Sequence, residues 1–322
     1  GRGLSFVCSW AIVLGYVSVA AFEAVALPFA LSHLVPGTQL GYLWTIHGWD
    51  VHVSFVAVGI GASILLTWIN IIGIKPAAAL QGIVTCAILA SGVVFLAGVS
   101  ITGDPDKLTP LFENGAAGVM GVLMMVPIMF VGFDIIPQTA EEIDLPDAEI
   151  GALVVVSVVI AVLWYAAIIL GVGLALDADA RAASAMTTAD ASGSVWNSVV
   201  ARNLLIVGGI AGIITTWNAF LVGSSRVVYA LAESGMLPAP LGCLHPRYGS
   251  PHVALLAIGA LTCLAPWFGR PILVWLINAG SFGVVVAYAM VAVSFLVLRY
   301  REPAMARPYR VRYGWPVGAV AL

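Results

Sequence analysis

Residues 115–146 read GAAGVMGVLMMVPIMFVGFDIIPQTAEEIDLP. The apolar run 115–139 is long enough to cross a membrane as a helix, which satisfies its own backbone hydrogen bonds in hydrocarbon. Pro127, Gly132 and Pro137 fall within eleven positions of that run. Proline removes donors and glycine weakens a helix entropically, so the ladder should fail between them. Asp134 stands beside this weak point, with Phe130 and Phe133 close by. Non-helical backbone at membrane depth is tolerated only against protein or a watery cavity, where half-helix ends can hold the charged parts of a solute. The stretch therefore predicts an interrupted crossing with a binding site at Phe130, Val131, Gly132, Phe133 and Asp134.

The rest of the chain fits that reading. Of 322 residues, 61% are apolar and 9% charged, against about 25% charged in a soluble domain. The 13 Lys and Arg and 16 Asp and Glu are too few to clothe a water-soluble surface, so lipid must cover much of it. A net charge of −3 gives no footprint for nucleic acid. Eight apolar stretches are expected to cross, at 5–34, 52–74, 76–101, 115–139, 150–176, 203–231, 252–269 and 272–298, with a ninth starting near Trp315. Cys8, Cys86, Cys243 and Cys263 lack metal-site spacing and read as small packing residues. The glycine clusters at 115–121 and 208–212 read as sites of close helix approach.

Lysine and arginine set the orientation. With the N-terminus inside, Arg2, Lys75, Arg226, Arg247, Arg299, Arg301, Arg307, Arg310 and Arg312 share one side, and Lys107, Arg181, Arg202 and Arg270 the other. The N-terminus and 299–314 are accordingly placed in the cytoplasm. The acidic 140–149 segment falls on that side too. Its Glu141 and Glu142 are expected to form a gate with Arg226.

Acids within crossings usually mark a solute or ion path. Glu23 lies deep in the first stretch, seven residues after Tyr16 on one helical face. It joins Asp134 as a candidate for coupling or gating. Thr215, Asn218 and Ser225 recur at helical offsets and, with Tyr16, could line a cavity, although helix-to-helix hydrogen bonding explains them equally well. Thr215 and Thr216 could also serve a sodium ion.

Four motifs carry a resemblance. FVGFDIIPQTAEEIDLP is similar to the sixth-helix signature of amino acid permeases in the amino acid/polyamine/organocation superfamily. GSSRVVYALAESGMLPAPLGCLHPRYGSPHVALL resembles their eighth helix and following loop, NIIGIKPAAALQ their fourth-to-fifth connection, and RYREPAMARPYRVRYGWP the segment after the tenth helix. The resemblance implies an all-α integral membrane fold of two inverted five-helix repeats. On that plan, 1–322 is a single transporter domain comprising the third to tenth helices and the start of the eleventh. Residues 1–101 are the remainder of the first repeat and 115–298 the second, and the first two helices are missing. It implies a secondary transporter of a small amino acid or related amine, by alternating access, in the cell membrane. Phe130 would be an aromatic lid, and the 130–133 backbone would meet the substrate amine. Many proton-coupled members place a lysine where this chain has Ala87, Ile88 and Leu89. Coupling to a proton through Glu23 or Asp134, to sodium, or exchange all stay open.

No cofactor is implied. A polyamine antiporter of the same fold is the near alternative. An intramembrane hydrolase would need a nucleophile and base, paired aspartates or a metal site. A channel would favour a continuous polar lining. Neither pattern is present.

Overall fold

The computed structural model describes the chain apart from residues 113, 139–145, 308 and 312, and leaves undescribed the side chains of 74–76, 124–125 and 147–148. The architecture is all-α. The helices, in chain order, are α1 (Arg2–Leu34), α2 (Val53–Ile72), α3 (Ile74–Thr102), α4 (Gly115–Met129), α5 (Ile135–Gln138), α6 (Asp147–Ala175), α7 (Ala178–Ala183), α8 (Thr187–Trp196), α9 (Val199–Glu233), α10 (His252–Leu264), α11 (Ile272–Arg301) and α12 (Gly314–Val320).

Six of the eight expected crossings are continuous helices long and apolar enough to span a bilayer. The other two differ. The fourth is split into α4 and α5, and α10 runs only 13 residues before a 3₁₀ turn at Ala265–Phe268. An unforeseen antiparallel hairpin, β1 (Tyr42–Ile46) with β2 (Trp49–His52), caps one end of the bundle. Its turn holds His47 and Gly48 at positive φ, and Trp44 stacks on Trp267 at 5.7 Å.

The core gathers along α1, which lies against α9 and α11 and touches α2 and α10. Tyr16, Trp217, Leu221, Leu255 and Val284 are completely or almost completely buried there. Lipid offers no hydrophobic drive for helices to associate, so packing depends on close approach. At the α1–α11 contact, a Cβ on Gly15 would lie 2.7 Å from Val284, and one on Gly283 would lie 2.5 Å from the Ala11 carbonyl. The cluster at 208–212 behaves as expected at Gly208, which sits on Ser91. That at 115–121 does not: Gly115 and Gly121 meet nothing within 4 Å, because α4 is peripheral and largely exposed. The cysteine expectation needs correction at Cys86 and Cys243, which are exposed, while Cys8 and Cys263 are partly buried.

Several polar groups inside the bundle pair off. Asn70 of α2 donates to its own helix at Leu66 and to Asn218 of α9 at 2.8 Å, and Asn218 donates to Ala77 and Gln81 of α3. Ser63 and Thr262 join α2 to α10.

Candidate functional site

The fourth crossing stops where its sequence weakens it. The last bond of α4 runs from the Phe130 N–H to the Val126 carbonyl, and Gly132 then adopts φ +122°. That region is open to glycine and strained for a side chain. The chain restarts through tight turns, Ile135 N–H to Gly132 and Ile136 N–H to Phe133, into the single turn of α5. Within the described residues, the Val131 carbonyl accepts no backbone hydrogen bond, and the Phe130 carbonyl opens only a turn over 131–134.

Asp134 organises the gap. Its Oδ1 accepts from the Gly132 N–H at 2.9 Å, and its Oδ2 accepts from the Tyr16 hydroxyl of α1. Gln138, one turn further on, donates to the same hydroxyl at 2.6 Å. The Tyr288 hydroxyl of α11 faces the carboxylate as well, and Phe133 lies against the Tyr288 ring at 5.6 Å. Phe130 meets Tyr165 of α6 edge-on at 5.2 Å. Phe220 of α9 packs on Tyr16 at 5.1 Å and covers Gly132. Gly223, one turn along α9, leaves room for Ile135 and Tyr16, which would stand 2.9 Å and 3.1 Å from a Cβ there.

Asp134 and Gln138 line a cavity of about 1090 Å³, together with Cys8 of α1, Arg226 of α9 and Tyr288 of α11. The cavity reaches the end of the bundle that carries Arg226, Arg299 and α12. Its wall is chiefly apolar, with the polar groups gathered near the break. A second cavity of about 470 Å³, lined by Ser91, Trp164 and Thr188 among others, lies towards the opposite end.

The other candidate residues are distributed as follows. Glu23 is 7% exposed in α1, close to Tyr165, and makes no hydrogen bond to a described residue. Thr215 and Ser225 bond carbonyls of their own helix, and Asn218 joins α2 to α3. Arg226 donates to Ser225 and lines the larger cavity. Glu141 and Glu142, the expected partners of Arg226 in a gate, lie outside the described residues. Among the described residues no cluster of His, Cys, Asp and Glu could hold a metal ion. Two residues of the site, Gln138 and Tyr288, went unassigned in the sequence reading. The available signal was a polar side chain at membrane depth.

A bundle of apolar crossings that opens one helix onto an internal cavity is the build of a membrane transporter. The chain belongs to the amino acid permease family, whose profile matches residues 1–322. It is 23% identical to a branched-chain amino acid permease of Bacillus subtilis, over 96% of this chain and 67% of that protein. It is 27% identical to a vacuolar cationic amino acid transporter of Arabidopsis thaliana, over 94% and 48%. A methylthioribose transporter of Bacillus subtilis is 22% identical, over 97% and 68%. The chain thus spans between about half and two thirds of the relatives it matches.

Proposed function

We propose that the protein carries a small amino acid or related amine across the cell membrane as a secondary transporter working by alternating access. The observation that carries this reading is the gap at Phe130–Asp134, where the helical ladder is interrupted and Phe133 and the acid Asp134 border a cavity. Carbonyl oxygens at a helix break accept from an ammonium group. Phe130 would close over the substrate. The repeat plan is that of two inverted five-helix units, with 1–101 in the first and 115–298 in the second. The N-terminus and 299–314 lie in the cytoplasm, so the larger cavity opens inward.

Asp134 and Glu23 are the candidates for coupling to a proton or sodium gradient, because a carboxyl at membrane depth is costly and usually marks a solute or ion path. A sodium ion at Thr215 and Thr216 is the variant of this reading that needs no proton. Arg226 gates the inner mouth with Glu141 or Glu142. A pair of this kind is worth only about 0–1 kcal/mol when exposed, which suits a contact broken in each cycle.

The test is uptake of labelled amino acids into vesicles containing the full-length protein. Asp134→Asn and Glu23→Gln are each expected to cut gradient-driven uptake by about tenfold or more, with normal expression, whereas Asp104→Asn leaves it unchanged. Wild-type rates and pH dependence in both variants would remove these acids from the mechanism. Uptake that persists as passive equilibration after the ion gradient is collapsed would favour a channel.

A further inference from the structure

Tyr16 is fully buried and has one hydroxyl hydrogen, and that hydrogen is committed to Asp134. A carboxylate accepts and cannot donate, so the direction of this bond is fixed. The atom of Gln138 that lies 2.6 Å from the same hydroxyl must then be its amide nitrogen, which donates and cannot accept. Amide, hydroxyl and carboxylate therefore run head to tail, joining the far side of the break to α1 and back to Asp134. The remaining Gln138 atom, Oε1, is buried without a hydrogen-bond partner among the described residues. An unpaired buried acceptor is unfavourable. The amide is thus turned to serve Tyr16 at the expense of its own carbonyl.

We propose that Gln138 is a positioning residue of the transport cycle. Its amide occupies the Tyr16 hydroxyl oxygen as a donor, reinforcing the direction set by the carboxylate, and so helps hold the hydroxyl hydrogen on Asp134 at the cavity wall. An amide suits this task because it donates at every pH. The proposal rests on the transport reading for its role in the cycle, but the hydrogen-bond geometry stands apart from it. Among the described residues, the charged or titratable groups that face Asp134 and Gln138 are Tyr16 and Cys8 from α1, Arg226 from α9 and Tyr288 from α11; α6 contributes Val154 to the cavity wall.

Gln138→Glu keeps the size of the side chain and replaces a permanent donor with one that donates only when protonated. Uptake by the full-length variant, measured between about pH 5 and about pH 8, is expected to approach wild type at the acid end. It should fall to about a tenth of wild type at the alkaline end, the loss that follows from removing the one hydrogen bond to the Tyr16 hydroxyl. Gln138→Leu, which cannot donate, is expected to be low throughout. A Glu variant that runs parallel to wild type at every pH, or a Leu variant with wild-type uptake, overturns the proposal. A second measurement needs no substrate: the infrared carboxyl bands of Asp134, assigned by their loss in Asp134→Asn, are followed in the purified protein. Gln138→Leu should shift them, and unchanged bands overturn the proposal. Shifted bands in a protein that takes up no amino acid support the positioning role and reject the transport reading alone.

Discussion

Gly132 and Gly223 are required for different physical reasons, and their substitution should separate them. At Gly132 the obstacle is the backbone: φ is +122°, yet a Cβ would meet Phe220 only at an ordinary 3.5 Å. At Gly223 the helix is regular and the obstacle is space, because a Cβ would press on Ile135 and Tyr16. Gly132→Ala should therefore destabilise by about 1–3 kcal/mol through backbone strain. Gly223→Ala should cost about 1–3 kcal/mol through overpacking and displace α5 from Tyr16. Gly121, which meets nothing, is the control. Its change to Ala should be neutral or stabilising by up to about 1 kcal/mol, because the helix gains propensity. Thermal unfolding of the three purified variants measures all of this. A Gly121→Ala loss as large as the other two would show that helix α4 is covered in a way its exposure does not reveal.

At the scale of elements, the hairpin end of the bundle is held by charges. The C-terminus of α6 is capped by Lys107, which donates to Ala175 at 2.8 Å, and by Arg181, which donates to Leu176 and Gly173. Cations there complement the helix dipole. Arg202 of α9 binds Asp190 of α8 at 2.7 Å, and Ser184 donates to the other oxygen at 2.5 Å. Partial burial acts to raise the Asp190 carboxyl, but the hydrogen bonds from Ser184 and Arg202 outweigh it and hold the group below the ordinary value of 3.8. With the folded value depressed, the contribution is present above the unfolded value and disappears as pH falls through the folded one. The pair is about a third exposed, so it is worth about 1 kcal/mol after screening. Arg202→Gln should speed amide exchange across 187–196 about fivefold at neutral pH. The difference from wild type should vanish in strong acid. A difference that persists there would assign the effect to packing of the Arg202 stem on Gly193.

How much of this was open to the sequence depends on the range of the signal. The break at Phe130–Asp134 is legible because proline and glycine act on their own backbone. Lys107 and Arg181 read only as outside charges, since nothing in their spacing points at a helix end across the loop. Periodicity places Tyr16 on one face with Glu23, yet its partner proves to be Asp134, 118 positions away, because a helical period names a face and not the neighbour. Asn218 shows the same limit: its face was legible, but not that α2 and α3 lie against it. The hairpin had a local signal, His-Gly between runs of aromatic and β-branched residues. Membrane-length reasoning overlooks signals as short as that one.

For the whole molecule, the decisive quantity is which end faces the cytoplasm, since the larger cavity opens at only one of them. Arg226, Arg247, Arg299, Arg301 and Arg307 lie at the cavity end, and Lys107, Arg181, Arg202 and Arg270 at the hairpin end. Positive residues near the ends of crossings are retained inside, so the hairpin should be outside and the cavity should open inward. Two positions report on this without disturbing the core. His47 is at the exposed tip of the hairpin, and Cys243 is already an exposed free thiol in the loop between α9 and α10. In intact cells, a membrane-impermeant thiol reagent should label His47→Cys and leave Cys243 untouched until the membrane is permeabilised. The reverse pattern would invert the molecule and place the acidic segment before α6 outside. It would also turn the cavity below Asp134 into an entrance from the medium, so that Gln138 and Tyr16 would guard entry and not release.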